Sequence, residues 1–457
     1  MRPATLAEAA RAMGADLPSS RTNASVGGAA IDSRKVREDD LFFAMRGRTD
    51  GADFAPEAHL RGAVATVATR QLDGPTLVVD DPEKALQRLA RWTLVRTDAP
   101  SPTVIGITGT VGKTTTKDAL ATILRHSGKR VTATEGNLNN EIGLPLTVLS
   151  ADPRTAVLVL EMGATHPGDI EHLCGIAPPE IGVLTAISPV HLDSFGTLED
   201  LAAAKGELAM ALPEYGTLVS PSDAPAAATG AGRKLARRIT FGREGDADLI
   251  ASGIEGREDG LRFVATTGGE SVEVRSPVFG THLVEPLLAS IGGALALGLD
   301  LETAASGLSR LRRTGMRGDV YRLREDIVVY DDSYNASPAA VAAVLRYGAE
   351  QASKQGRRLV VVLGGMFELG SCAREYHREA GKLAGEVGVD LLACVGDEAR
   401  WYAEAFPGKT LLYGDAATAA EALRAQLQGG DYLVVKGSRG VGLDALTRKL
   451  RESLALV

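Results

Sequence analysis

The chain has 457 residues, 44% of them apolar and 24% charged, with a net charge of −8 and a pI near 5.6. That length exceeds a single hydrophobic core and suits about three domains of roughly 150 residues each. The acidic balance and the lack of a basic stripe argue against a nucleic-acid partner. Cys174, Cys372 and Cys394 lack metal-ligand spacing and read as reduced thiols, and no run approaches the roughly eighteen apolar residues of a membrane span, so a cytoplasmic protein without membrane contact is expected.

Residues 1–100 read as a small α/β domain. A helix is predicted over Leu6 to Met13, strands over Ala29 to Asp32, Leu41 to Met45, Ala63 to Val67 and Thr76 to Val79, and a closing helix over Lys84 to Val95. Asp32, Ser33 and Arg34 at a strand end suit an anionic or uridine-like ligand, and equally suit a helix cap with a solvated salt bridge. A linker rich in Pro, Asp and Ser follows at Arg96 to Pro102.

The second domain, 101–311, opens on ITGTVGKTTTKDAL, in which an apolar run (Val104, Ile105, Ile107) bends at Gly109 and Gly112 and enters a helix at Lys113. This is a phosphate grip: glycines let backbone N–H groups of Thr110 and Val111 face an anion, the helix N-terminus adds partial positive charge, and Lys113 adds a full one. Thr114 is placed to put a hydroxyl on a magnesium ion, so ATP or GTP is the expected ligand. Lys129 to Thr134 reads as a strand and GNLNNEIGLP as a loop. Three of the chain's five asparagines (Asn137, Asn139 and Asn140) fall in GNLNNE, which suggests chemistry that no substitute supplies. The strand Thr155 to Met162 ends in Glu161, at the edge where open α/β sheets bind ligands and where an acid holds magnesium.

Ile181 to Ile187 is a further strand, with His191 just beyond it at the same edge. Thr197 and Asp200 resemble a helix start, and Leu198, Leu201, Lys205 and Leu208 then fall at helical spacing, which puts Lys205 on or near an apolar face. A lysine so placed must snorkel, find an acidic partner or be modified, and the sequence leaves all three open. Residues 213 to about 278 read as a β-rich lobe, followed by helices at Val284 to Ala296 and Leu301 to Leu311.

From Arg312 to Val457, alternating strands and helices predict a third domain with a parallel, Rossmann-like sheet: Ile327 to Tyr330, Ala339 to Gln351, Leu359 to Leu363, Glu375 to Val387, Leu391 to Val395, Ala416 to Gln426, Tyr432 to Val435 and Leu443 to Leu450. Its strand ends carry DDSYNASP, LGGMFELG and KGSRG, a second binding surface on one edge.

TGTVGKTTTKD, GNLNNEIGLPLTVL, LEMGATHPGDIEHL, PVHLDSFGTLEDLAAAKGEL, DDSYNASP, LGGMFELG and VVKGSRG, in this order, resemble the Mur ligases of peptidoglycan synthesis, and DSRKVREDDLFFAMRGRTDGADF resembles their UDP-binding domain. The resemblance favours the dipeptide-adding branch. It implies a ligase that uses ATP and Mg2+ to join D-alanyl-D-alanine to UDP-N-acetylmuramoyl-tripeptide through an acyl phosphate; a monomer is the default expectation, which the sequence does not itself decide. It further implies that Lys113 and Thr114 hold the phosphates and a first magnesium, with Gly109, Thr110, Val111, Gly112, Thr115 and Asn139 around the nucleotide. Glu161, His191 and a carbamate on Lys205 would ligate a second magnesium, with Lys113, His191 and Lys205 counted as catalytic. Arg317, Asp332 and Asn335 would approach the nucleotide; Tyr334, Lys436, Ser438 and Arg439 would face the dipeptide; Asp32, Ser33 and Arg34 would face the UDP part.

Against that pattern, Thr165, Ala186, Ser220, Leu283, Pro286 and Ser337 stand where asparagine is usual, and Gly365 where aspartate is usual. Pro286 replaces a side chain that in relatives contacts adenine. Two other readings accompany the first: a sister ligase adding another amino acid, and a degenerate member that binds nucleotide without ligating.

Overall fold

The computed structural model describes residues 1–16, 22–47, 49–96, 100–188, 192–230, 232–257, 259–312 and 315–454. Among these residues the chain forms a three-domain α/β fold, each domain built on a largely parallel sheet. No helix of the described residues is long and apolar enough to cross a membrane.

The N-terminal sheet runs Gly28–Ala30, Asp40–Phe43, Ala65–Ala68, Thr76–Val78, all parallel. Helix Leu6–Met13 starts at a capping box in which Thr5 and Glu8 satisfy each other's backbone N–H, and helix Pro82–Val95 starts at Asp81. Their apolar stripes do not close a core of their own. Leu6, Met13, Leu86 and Leu89 pack into one cluster with Leu144, Leu158, Ile170 and Leu173 of the central domain. The N-terminal unit is therefore anchored by shared burial as well as by the chain.

The central sheet has nine strands, in the order Glu270–Ser276, Gly260–Thr267, Leu249–Arg257, Arg237–Gly242, Thr217–Pro221, Ile181–Leu184, Thr103–Thr108, Val157–Glu161, Val131–Ala133. Helices Lys113–His126, Val284–Ala296 and Leu301–Leu308 cover one face through Leu120, Ile123, Leu288, Ile291 and Leu308. The predicted β-rich lobe is continuous with this sheet. Thr217–Pro221 and Arg237–Gly242 extend it in parallel, and the last hairpins add antiparallel strands.

The third sheet runs Asp319–Arg322, Val328–Asp332, Tyr432–Lys436, Leu359–Gly364, Leu391–Val395, Lys409–Tyr413, parallel except for its first strand. Helices Pro338–Gln355 and Ala373–Glu386 bury one face, Ala416–Arg424 and Leu443–Ser453 the other. The loops DDSYN, GMFEL and GSR all leave its carboxyl edge.

Helix Leu198–Ala211, which carries Lys205, packs against Ala226–Thr229 so closely that a Cβ on Gly206 would lie 2.1 Å from the Ala227 carbonyl oxygen. Backbone cannot yield as a side-chain tip can. Gly206→Ala is expected to destabilise the protein by about 1–3 kcal/mol, measured as a lower urea midpoint, while Gly175→Ala, with open space around its Cβ position, leaves that midpoint near the original.

Candidate active site at the carboxyl edges of two sheets

Strand Thr103–Thr108 ends in a loop that turns through Gly109 (φ 141°) and Gly112 (φ 90°) into helix Lys113–His126. Gly109 is required twice over: its φ lies in the left-handed half of the map, and a Cβ there would sit 2.0 Å from Thr185 Oγ1. The neighbouring segment pins the loop, since Thr110 N–H and Oγ1 each donate to Ala186 O at 2.9 Å, and Val111 bridges Ala186. Lys113 Nζ donates to Gly109 O at 2.8 Å and Thr110 O at 3.2 Å. Burial lowers the pKa of this amine, with the Glu161 carboxylate opposing and Arg317 adding to the shift.

Glu161, at the end of the adjacent strand, is 3% exposed. It accepts from Thr114 Oγ1 at 2.8 Å and from Asn139 Nδ2 at 2.9 Å. Loop GNLNNE thus delivers one asparagine to the carboxylate. A second, Asn140, accepts Gly143 N–H at 2.9 Å and starts helix Gly143–Leu149, which sequence reading had as part of the loop. Among the described residues no group of three His, Cys, Asp or Glu is gathered as a metal site. A hydroxyl beside one carboxylate at a phosphate loop suits Mg2+, which keeps waters and substrate phosphates as most of its ligands.

Lys205 is 2% exposed. Its amine donates to Ala164 O at 3.1 Å and lies 5.2 Å from the Phe195 ring centroid. Burial first, and the Lys113 charge second, push its pKa down to about 7 against the pull of Asp169 and Glu207. It is thus buried, the outcome in which a lysine neither snorkels nor gains a bonded acid. His191 lies outside the described residues.

Thr115 faces a groove with Leu283, Leu311, Arg312 and Arg317, beside the phosphate-loop helix. Pro286 packs against the phosphate loop, where a Cβ on Gly112 would come within 2.9 Å of the ring, and its carbonyl accepts Thr116 Oγ1 at 3.2 Å. From the third domain, the Tyr334 ring stacks under the Arg317 guanidinium at 3.9 Å, with Arg439 at 5.8 Å. Lys436 is buried, its amine on the Asp332 carboxylate and on the Asp332 and Asn335 carbonyls, so all three bonds go to the DDSYN loop. Ser438 Oγ accepts Phe367 N–H at 3.0 Å, and Ser438 N–H donates to Gly365 O at 3.1 Å. In the N-terminal domain Asp32 caps the turn Ser33–Lys35 and pairs with Arg34 at 2.8 Å, which holds its carboxyl down to about 2; Ser33 Oγ donates to Glu57 at 2.6 Å.

Family profiles match over residues 107–294 (Mur ligase middle domain), 316–439 (Mur ligase, glutamate ligase domain) and 25–91 (Mur ligase family, catalytic domain). The UDP-N-acetylmuramoyl-tripeptide–D-alanyl-D-alanine ligase of Bacillus subtilis is 32% identical over 437 residues, spanning 93% of each chain. The chain belongs to the Mur ligase family. A MurF crystal structure from Acinetobacter baumannii superposes with a TM-score of 0.88 at 27% identity over 99% of both chains. The MurF ligase of Thermotoga maritima in complex with ADP, 30% identical, gives 0.81 over 93% of this chain and 97% of that one. Against that Mur background, the residues that sequence reasoning missed are those without a motif: Thr185 behind the phosphate loop, and His377 behind GMFEL.

His377 is wholly buried, and its Nε2 accepts Met366 N–H at 2.9 Å, so Nδ1 carries the hydrogen donated to Ala373 O at 2.6 Å. Burial lowers its pKa below the ordinary 6.5. Because the folded ring resists protonation and the unfolded ring does not, its stabilising contribution is complete above about pH 6.5 and shrinks as the pH falls through that value. Wild-type unfolding free energy is therefore expected to drop between about pH 7.5 and 5.5 more steeply than that of His377→Gln, whose amide oxygen accepts the same N–H without titrating; parallel urea titrations test this.

Proposed function

We propose that this chain is an ATP-dependent ligase that joins D-alanyl-D-alanine to UDP-N-acetylmuramoyl-tripeptide in peptidoglycan precursor synthesis. The observation that carries the reading is the Thr114–Glu161–Asn139 group at the mouth of an intact phosphate loop, in a chain matching such ligases end to end. Residues 1–100 take the UDP part through Asp32, Ser33 and Arg34, residues 101–311 take ATP, and residues 312–457 take the dipeptide. All of this is cytoplasmic chemistry.

In the first half-reaction the tripeptide carboxylate attacks the γ-phosphorus and ADP leaves with the bridging oxygen. In the second, the dipeptide amine attacks the acyl carbon, phosphate leaves, and the former ammonium loses a proton. Carboxylate and phosphate repel, so the barrier falls when fixed positive charge lies between them. Lys113 supplies one such charge from the loop, and backbone N–H groups at the helix start supply partial ones. Bound Mg2+ would supply the rest by neutralising phosphate oxygens; Thr114, Glu161, His191 and Lys205 as a carbamate are the residues that would hold it. Carbamylation joins the neutral amine to carbon dioxide with loss of a proton, turning a buried cation into an anionic oxygen ligand. The depressed basicity of Lys205 and its lack of a bonded acid among the described residues support that step. Arg317, Asp332 and Asn335 approach the nucleotide from the third domain, while Tyr334, Lys436, Ser438 and Arg439 frame the dipeptide side. With Val278, Leu283 and Leu311 lining the groove beside Thr115, adenine would be held there by apolar contact.

Purified protein is expected to release ADP from ATP only when both the nucleotide-peptide and D-alanyl-D-alanine are supplied, with UDP-muramoyl-pentapeptide as product; ADP without that product refutes the assignment. Lys113→Ala is expected to lower kcat/KM by about a hundredfold or more. Lys205→Ala is expected to lose activity to a similar degree and regain part of it in added acetate or formate, and full activity without the additive removes the carbamate.

A further inference from the structure

Loops from three strands of the third sheet meet around Gly365. Phe367 folds its ring back over this glycine and over Gly440: Cβ atoms at the two positions would lie 3.2 and 2.7 Å from it. The ring is nonetheless 42% exposed, one of the larger apolar surfaces left open among the described residues. From the next strand, Leu391–Val395, the chain runs to Glu398. Its Oε2 is closed off from solvent, lacks a hydrogen-bond partner among the described residues, and stands 3.4 Å from where a Cβ on residue 365 would be. The Mur pattern puts a carboxylate on residue 365 itself; here glycine leaves the space and a neighbouring strand delivers the carboxylate to it.

A carboxylate oxygen without a partner is costly, and folded proteins leave few of them, so it marks a place where a donor is due to arrive. Burial raises the Glu398 pKa, the direction expected of a carboxyl awaiting a counter-charge. The position fits a substrate contact. The Gly370–Cys372 turn that ends this loop lies against helix Leu192–Phe195 of the central domain, and Phe195 is the ring beneath the Lys205 amine.

We infer that Glu398 and Phe367 form the subsite for the ammonium end of the incoming dipeptide. The inference rests on the ligase reading above. A primary ammonium is satisfied by a carboxylate on one side and an aromatic face on the other. Arg439, whose side chain is more than half exposed and stands 3.8 Å from the Asp444 carboxylate, offers the opposite charge for the far carboxylate of the same zwitterion.

The test is steady-state kinetics on the full chain with each substrate varied in turn. Glu398→Gln is expected to raise the KM for D-alanyl-D-alanine about tenfold or more, leaving the KM for ATP and for the nucleotide-peptide within about twofold. Glu398→Ala combined with Gly365→Asp is expected to recover most of that loss, since Gly365 does not have a positive φ and its nearest neighbours are side-chain atoms at 3.2 Å or beyond. Phe367→Ala, at a ring left 42% exposed, is expected to raise the dipeptide KM about threefold or more and gives a second answer independent of any Glu398 variant. An unchanged dipeptide KM in an active Glu398→Gln or Phe367→Ala enzyme overturns the subsite. Failure of the unmodified chain to turn over ATP with these substrates overturns the ligase reading instead, and the subsite falls with it.

Discussion

Glu161 accepts a hydrogen bond from the phosphate-loop helix through Thr114 and another from the GNLNNE loop through Asn139, while its own N–H donates to Thr134 Oγ1. Two segments that are distant in sequence therefore converge on one buried carboxylate. An ionised oxygen pair out of water needs donors on both sides, and here those donors come from the two elements that must sit beside a phosphate chain. The same strand end fixes a further contact, because Thr134 O accepts Lys117 Nζ at 2.8 Å. Loss of the carboxylate strands a hydroxyl and an amide together and loosens both the grip and the loop opposite it.

The buried amines show how differently one chain can treat the same cost. Lys117 pairs with Asp118 at 2.6 Å, and Lys436 pairs with Asp332, so each is neutralised by an acid from its own domain. Lys113 instead rests on two carbonyls of the loop it serves. Lys205 has one carbonyl and one ring. In the first two arrangements the charge is met within the fold, and Lys436 thereby ties the DDSYN loop to its sheet. In the last two the amine is hydrogen-bonded to carbonyls, and the carboxylates that act on it (Glu161 on Lys113, Asp169 and Glu207 on Lys205) form no ion pair with it among the described residues, so a phosphate, or carbon dioxide, improves its situation. Function is concentrated where pairing is incomplete, and Glu398 follows the same logic with the sign reversed.

Much of this was legible in the sequence. The strand, glycine turn and helix of the phosphate loop lie where ITGTVGKTTTKDAL puts them, and Glu161 and Asn139 do meet at its mouth. Helix Val284–Ala296 and strand Leu391–Val395 match the predicted bounds residue for residue, because long apolar runs leave few alternatives. Short edge strands escaped: Asp319–Arg322 and Lys409–Tyr413 are half-exposed, so their polar residues hide the alternation that betrays a strand. Helix Gly143–Leu149 was hidden by Gly and Pro in its first turn, where both are tolerated. The side-chain partners of Lys436 and the placement of Glu398 against Gly365 had no local signal at all. Each depends on which strands become neighbours, and the third sheet sets Tyr432–Lys436 between strands that precede it in sequence by some seventy to a hundred residues.

The outermost strand of the central sheet, Glu270–Ser276, exposes Glu270, Ser271, Glu273 and Arg275, and turns Val274 inward. A nine-stranded sheet that ended in an apolar ribbon would invite another molecule to continue it. Here any neighbour docking along that rim must first strip water from charges of both signs, which guards a crowded solution of this protein against sheet-by-sheet association.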